Sequence, residues 1–220
     1  MEDVESLSFE ESLAFLRGVE VEAGQRLEVD QKKHKIFLQL TDRSPIWTFR
    51  LPLPMPALAE EFTLRSYLDA QDEEPRPYVV AIIQAGAAAL GYFEEGEVLH
   101  HKVIKKYMKR HKRGKSQISY LNTRGKSKAG SRIRLANTVR FFEEINERLT
   151  LWEETFEPER ILYSCSPQLW GLMFQSKVPP PFEKEDSRLV KIPMDVHVPN
   201  FEEMLRVNDF CLQGRLIQQI

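Results

Sequence analysis

Apolar and polar positions change period along this chain, and the changes mark its elements. Residues 78–84 (YVVAIIQ) form a nearly unbroken apolar run, the pattern of a strand covered on both faces. Residues 87–93 pair with it across a turn at Gly86, and Glu94-Glu95-Gly96 turns the chain into 98–107 (VLHHKVIKKY). The three segments predict an antiparallel meander. Over 131–149 the period lengthens to that of a helix. Leu135, Val139, Phe142, Ile145 and Leu149 recur at three and four, with Ser131 as N-cap and Glu144 four before Arg148. A strand at 160–165, a proline-opened helix at 167–174, a strand at 188–192 and a helix at 200–212 follow. The last is capped by Asn200 and stopped near Gly214. The order β-β-β-loop-α-β-α-β-α over 76–215 predicts an α/β fold, a mixed sheet with helices on its faces.

The first third reads differently. Ser8 and Glu11 suit a capping box for a short helix at 8–18, with Gly18 as its stop. Strands are predicted at 34–40 and 45–51 around the turn TDRS. LPLPMPAL, with three prolines in five residues, reads as a stiff connector, and 62–70 as another short helix. QDEEPRP looks like a solvated joint. The expected organisation is therefore a small N-terminal subdomain, 1–75, and a main domain, 76–215.

Composition narrows the class. An apolar fraction of 42% and a charged fraction of 29% suit a globular chain with a core. No apolar run is long enough for a transmembrane helix, and the acidic start lacks a secretory signature. Cys165 and Cys211 stand alone, without CxxC spacing, and Glu185 and Asp186 lack a carboxylate partner in sequence. The expectation is a reduced, cytoplasmic protein with no metal site and no cofactor.

Charge changes the picture more. The chain carries 31 Lys/Arg against 33 Asp/Glu, but 14 of those cations and three His fall within 98–142, which holds no acid at all. An acidic body thus carries a basic insert, as a polyanion-binding surface requires. Within it, 108–130 nearly loses its apolar signal and is punctuated by Gly114, Gly125 and Gly130. A solvated lysine-rich loop is the plain alternative. Against it stand Arg132 and Arg134, placed in the first turn of the following helix, where cations oppose the macrodipole and an anion would be welcome. Candidate phosphate contacts are Lys109, His111, Lys112, Arg113, Lys115, Arg124, Lys126, Lys128, Arg132 and Arg134. Tyr107 and Tyr120 could stack on unpaired bases. Gln117 does not titrate, but its amide can orient a water or hydroxyl, with nearby backbone N–H groups stabilising an oxyanion.

HKVIKKYMKRHKRGKSQ, then KAGSRIRLAN, then SRLVKIPMDVHVPNFEEMLRVN resemble, in that order, the release-factor-like catalytic domain of the Vms-type ribosome quality-control proteins. That domain is similar to the Gly-Gly-Gln central domain of eukaryotic and archaeal class-1 peptide release factors. The resemblance covers about residues 76–215. It implies a ribonuclease-H-like mixed sheet with flanking helices, and action on peptidyl-tRNA at a stalled ribosome or free large subunit, without membrane or DNA partners. Gln117 takes the place of the essential glutamine and Gly114 that of the first glycine, while Tyr107 and Arg110 match the upstream tyrosine and arginine. Ser116 completes the candidate catalytic set, and Lys115 departs from the commoner second glycine. Three functions stay open: ester hydrolysis of peptidyl-tRNA, cleavage near the tRNA 3′ CCA end, or non-catalytic RNA or ribosome binding. In the cleavage reading Arg110 steadies the charge and His111 is a candidate base.

Overall fold

The computed structural model describes residues 2–40, 45–59, 62–108 and 129–219, and holds two five-stranded sheets. The main sheet is organised around β5 (Tyr78–Gln84). On one side β6 (Ala87–Glu94) and β7 (Glu97–Lys105) continue it as an antiparallel meander. On the other, β8 (Arg160–Cys165) runs parallel to β5, and β9 (Leu189–Lys191) parallel to β8, giving the order β7-β6-β5-β8-β9.

The unbroken apolar run of β5 has a direct cause. Val79, Ala81 and Ile83 face a core closed by α3 (Ala129–Phe156) and α4 (Pro167–Phe174), with Phe141, Phe142, Ile145 and Trp152 in it. Tyr78, Val80 and Ile82 face a second core closed by α5 (Phe201–Leu212) through Met204, Val207 and Cys211. Both faces are covered, so the strand has no polar position to spare. Each fully buried aliphatic side chain there contributes about 2 kcal/mol. This mixed α/β architecture is the one the sequence implies.

The other sheet is antiparallel throughout, in the order β1-β10-β4-β3-β2. Its strands are β1 (Glu2–Leu7), β2 (Gln25–Asp30), β3 (Lys35–Leu40), β4 (Pro45–Arg50) and β10 (Gly214–Gln219). One face packs on α1 (Phe9–Arg17) and α2 (Leu64–Asp69), with Leu13, Leu16, Ile36, Trp47 and Phe49 in the core between. The capping box at α1 forms as expected: Ser8 accepts from the Glu11 N–H and Glu11 from the Ser8 N–H. The proline-rich connector carries more than a link. Its Leu53 packs in the α5 core, while Leu51, Met55 and Leu58 pack in the first-sheet core.

Three strands go beyond the sequence reading. β1, β2 and β10 each hold only two large apolar residues, Val4 and Leu7, Leu27 and Val29, and Leu216 and Ile217, so each carries a weak apolar signal. β10 follows α5 directly and returns to the first sheet, between β1 and β4. The helix stop at Gly214 is therefore also a strand start. The turn TDRS lies outside the described residues.

His34 sits where the first sheet meets the connector, buried and in the left-handed region (φ 56°). Its Nε2 lies 3.2 Å from the Pro52 carbonyl. Burial first, then the Arg160 and Arg50 cations, push its pKa down to about 3. The folded protein thus keeps this imidazole neutral where the unfolded chain protonates it, so stability is full above the unfolded value and falls as pH drops below it. Between pH 7 and 5 the expected loss through His34 is about 2 kcal/mol. Urea unfolding at both pH values, compared with His34→Asn, checks this. Asparagine tolerates the same backbone, and the variant should lack that part of the pH slope. Equal slopes would assign the dependence to other groups.

Candidate nucleic-acid interface

Most candidate residues of the basic insert lie outside the described residues: Lys109, Arg110, His111, Lys112, Arg113, Gly114, Lys115, Ser116, Gln117, Tyr120, Arg124, Lys126 and Lys128. What the structure does describe is where the insert is rooted. β7 ends at Lys105, and the next backbone N–H, of Lys106, donates to the Gly86 carbonyl at 2.9 Å. The Tyr107 carbonyl accepts from the Asn137 side chain of α3 at 3.1 Å, and the Tyr107 side chain is 50% exposed. Met108 is buried in the α3-side core. Lys106 also pairs with Glu144 of α3 at 2.7 Å. The incoming limb is thereby tied to the β5–β6 turn and to α3 as far as Met108, the last described residue before the insert. Asn137 closes the KAGSRIRLAN segment, and its structural role was missed by sequence reasoning.

Helix α3 corrects two expectations. It is already helical at Ala129, so Ser131 lies inside it rather than capping it. Arg134 consequently sits in the second turn, where the macrodipole acts more weakly. Arg134 is half-exposed, and Arg132 belongs to the same helix. The apolar stripe also outruns the core: Phe142, Ile145 and Leu149 are buried, but Leu135 is 45% exposed and Ile133 58%. The first turns of α3 project past the sheet. His100 and His101 of β7 point to opposite faces and are both exposed, His100 stacked on Phe156 and His101 against Phe201.

The strand registers place several features on one edge of the main sheet. Gln84 pairs with Ala87, Ala87 with Lys105, Ile83 with Cys165, and Tyr163 with Lys191. The root of the insert therefore shares an edge with the C-terminal ends of β5, β8 and β9. α4 begins there under its Ser166 cap, and α5 under its Asn200 cap. Helix N-termini carry partial positive charge; at α5 it is met by Glu202 and Glu203 of the first turn, whereas the first turn of α4 holds no acid. Cys165 stands on the same edge, but burial pushes its thiol up to about 12, so it is no thiolate nucleophile at neutral pH. Among the described residues no helix is long and apolar enough to cross a membrane.

Comparison with known proteins bears on the family and the fold. Mouse tRNA endonuclease ANKZF1 is 26% identical over 178 residues, covering 79% of this chain and 24% of that protein. Bovine tRNA endonuclease ANKZF1 is 31% identical over 137 residues, covering 60% of this chain and 19% of its own length. The chain thus spans about a quarter or less of these curated relatives. A solved structure described as the Vms1 mitochondrial localization core superposes with a TM-score of 0.55 over 97% of both chains at 12% identity, so the fold is shared across both sheets. The model of one family, the Bacteroidetes VLRF1 release factor, matches residues 78–219. That span opens on the first residue of β5, closes on the last of β10 and encloses the whole loop-bearing sheet, and this chain belongs to the Bacteroidetes VLRF1 release factor family.

Proposed function

We propose that this protein frees nascent peptides from peptidyl-tRNA on the large ribosomal subunit of stalled ribosomes, as a cytoplasmic release factor of ribosome quality control. The observation that carries the reading is the family match over 78–219, which spans the basic insert and its root. In this reading the insert follows the tRNA acceptor end, with Lys112, Arg113 and Lys115 on RNA phosphates and Tyr107 and Arg110 at its base. Gln117, presented by Gly114 and Ser116, orients water at the ester that joins peptide to terminal ribose. Orientation and preorganised N–H donors supply most of the acceleration, since an amide is no base.

A second reading has support from the curated relatives, which are named tRNA endonucleases. There the cut falls within the tRNA 3′ end and the peptide leaves with a nucleotide fragment attached. One experiment separates them. Peptidyl-tRNA labelled in both peptide and tRNA is incubated on large subunits with the protein, and the 3′ end of the product tRNA is sequenced. The expected product is intact tRNA ending in CCA. A shortened 3′ end assigns the endonuclease chemistry, and neither product assigns a binding role.

A further inference from the structure

The limb that leads to the insert brings more positive charge to α3 than the helix answers. Strand alternation puts Lys102, Ile104 and the following Lys106 on one side of β7, and Ile104 lies in the α3-side core. The two lysines flank that buried anchor and are themselves half-buried beside α3. Both meet one acid, Glu144. The Lys106 Nζ lies 2.7 Å from its Oε2, and the Lys102 Nζ 4.0 Å from its Oε1. One carboxylate cannot neutralise two ammonium groups. A third cation, Arg140, stands one turn closer to Asn137, is exposed, and forms no ion pair among the described residues. Glu143 and Glu147, the neighbouring acids of α3, pair with none of the three.

Two ammonium groups thus converge on two oxygens bonded to a single atom. The non-bridging oxygens of a phosphodiester present the same arrangement, with charge-assisted hydrogen bonds of the same kind. Partly exposed pairs like these add little to stability, so the fold depends only weakly on Glu144 at this point. What its carboxylate does is keep two flexible lysine stems gathered. The residue after Lys106 adds a second element. Tyr107 is held by its carbonyl on Asn137, while its ring stays 50% exposed. An open aromatic face next to gathered cations suits an unpaired nucleotide, with the base on the ring and the phosphate on the cations.

We propose that Lys102, Lys106 and Arg140 clamp one backbone phosphate of an unpaired RNA strand, with a base of that strand on Tyr107, and that Glu144 occupies the clamp until RNA displaces it. The inference deepens the release reading above and rests on it only for RNA as the partner. It gives the described body a contact of its own, beside the root and independent of the insert's residues. Glu144 acts as a built-in competitor: it preorganises the lysines and repels the phosphate that replaces it. Removing the acid should therefore strengthen RNA binding, whereas removing the lysines should weaken it.

The test is fluorescence-anisotropy binding of a labelled RNA hairpin with an unpaired CCA 3′ extension to the full chain across a salt series. Lys102→Gln combined with Lys106→Gln should bind about fivefold more weakly, with a salt slope shallower by about 0.7, the share of one single-strand phosphate. Glu144→Gln should bind about threefold more tightly than wild type. Lys32→Gln combined with Lys33→Gln, which removes the same charge from the turn between β2 and β3, should stay within about twofold of wild type. On a blunt hairpin the lysine variant should lose much less. If the lysine variant binds like the Lys32/Lys33 control, the clamp does not exist. If Glu144→Gln melts at a lower temperature and binds no more tightly, its pairs are structural and the proposal is overturned. An equal loss on the blunt hairpin would overturn the assignment to an unpaired strand. Peptide release by the wild type keeps the two readings apart. Release with unaltered RNA binding in the lysine variant sinks the clamp alone, and the expected binding shifts without any release sink the release reading alone.

Discussion

Gln117→Ala is expected to slow peptide release by about 100- to 1,000-fold while leaving large-subunit affinity within about twofold. The two halves of that expectation have different physical origins. Binding of a basic insert to RNA comes chiefly from cations that displace condensed counterions, and 14 Lys/Arg lie within 98–142. A neutral amide contributes nothing to that term. Its worth is in the transition state, where one oriented hydrogen bond in a preorganised, water-poor site is worth as much as removal of an oxyanion-hole donor elsewhere. The measurement is single-turnover release beside a binding titration at fixed salt. Release at the wild-type rate by Gln117→Ala, with binding retained, would remove the glutamine from the chemistry and favour a binding module. A parallel loss of both would mean that the amide shapes the insert rather than the reaction.

How much of this was legible in the residues depends on how local each feature is. β5, β6 and β7 could be read because each is joined to the next by a tight turn and β5 is covered on both faces. The same holds for α4 and α5, whose caps, Ser166 and Asn200, each accept from the N–H three residues on. β10 could not be read that way. GRLIQQ has only two large apolar residues, and its partners β1 and β4 lie at the opposite end of the chain, so its strand character is a tertiary effect. Leu135 shows the opposite failure. Its spacing places it on the buried stripe of α3, but periodicity does not say where the sheet beneath ends, and the helix runs past it.

The site divides along the same line. The glycine-led basic insert with its glutamine is contiguous, and resemblance could find it. The support beneath it is not. Asn137 reaches Tyr107 across 30 positions, and Gln84 reaches His197 across 113. No spacing rule joins such residues, and only the strand registers bring them to one edge.

The second large effect concerns the turn that roots the insert. Gly86→Ala is expected to lose about 3 kcal/mol of stability, against about 1 kcal/mol for Gly24→Ala. Both glycines have φ of +87°, so both variants bear the strain of a left-handed alanine. They differ in what the new methyl meets. A Cβ built at Gly24 would meet nothing within 4 Å, whereas one at Gly86 would stand 2.6 Å from the Lys106 carbonyl oxygen. That oxygen belongs to backbone, next to the N–H that donates to Gly86, so relief requires β7 to move away from the turn. The difference between the two variants in denaturant unfolding therefore isolates the cost of displacing the root. Displacement should also reach the chemistry, because Tyr107 and the Asn137 contact follow immediately. Release by Gly86→Ala should fall by about tenfold or more under conditions where the variant is fully folded, and Gly24→Ala should release normally. Equal stability losses in the two variants would show that β7 yields freely at Lys106. Normal release by a folded Gly86→Ala would show that the insert finds its position on RNA without help from its root.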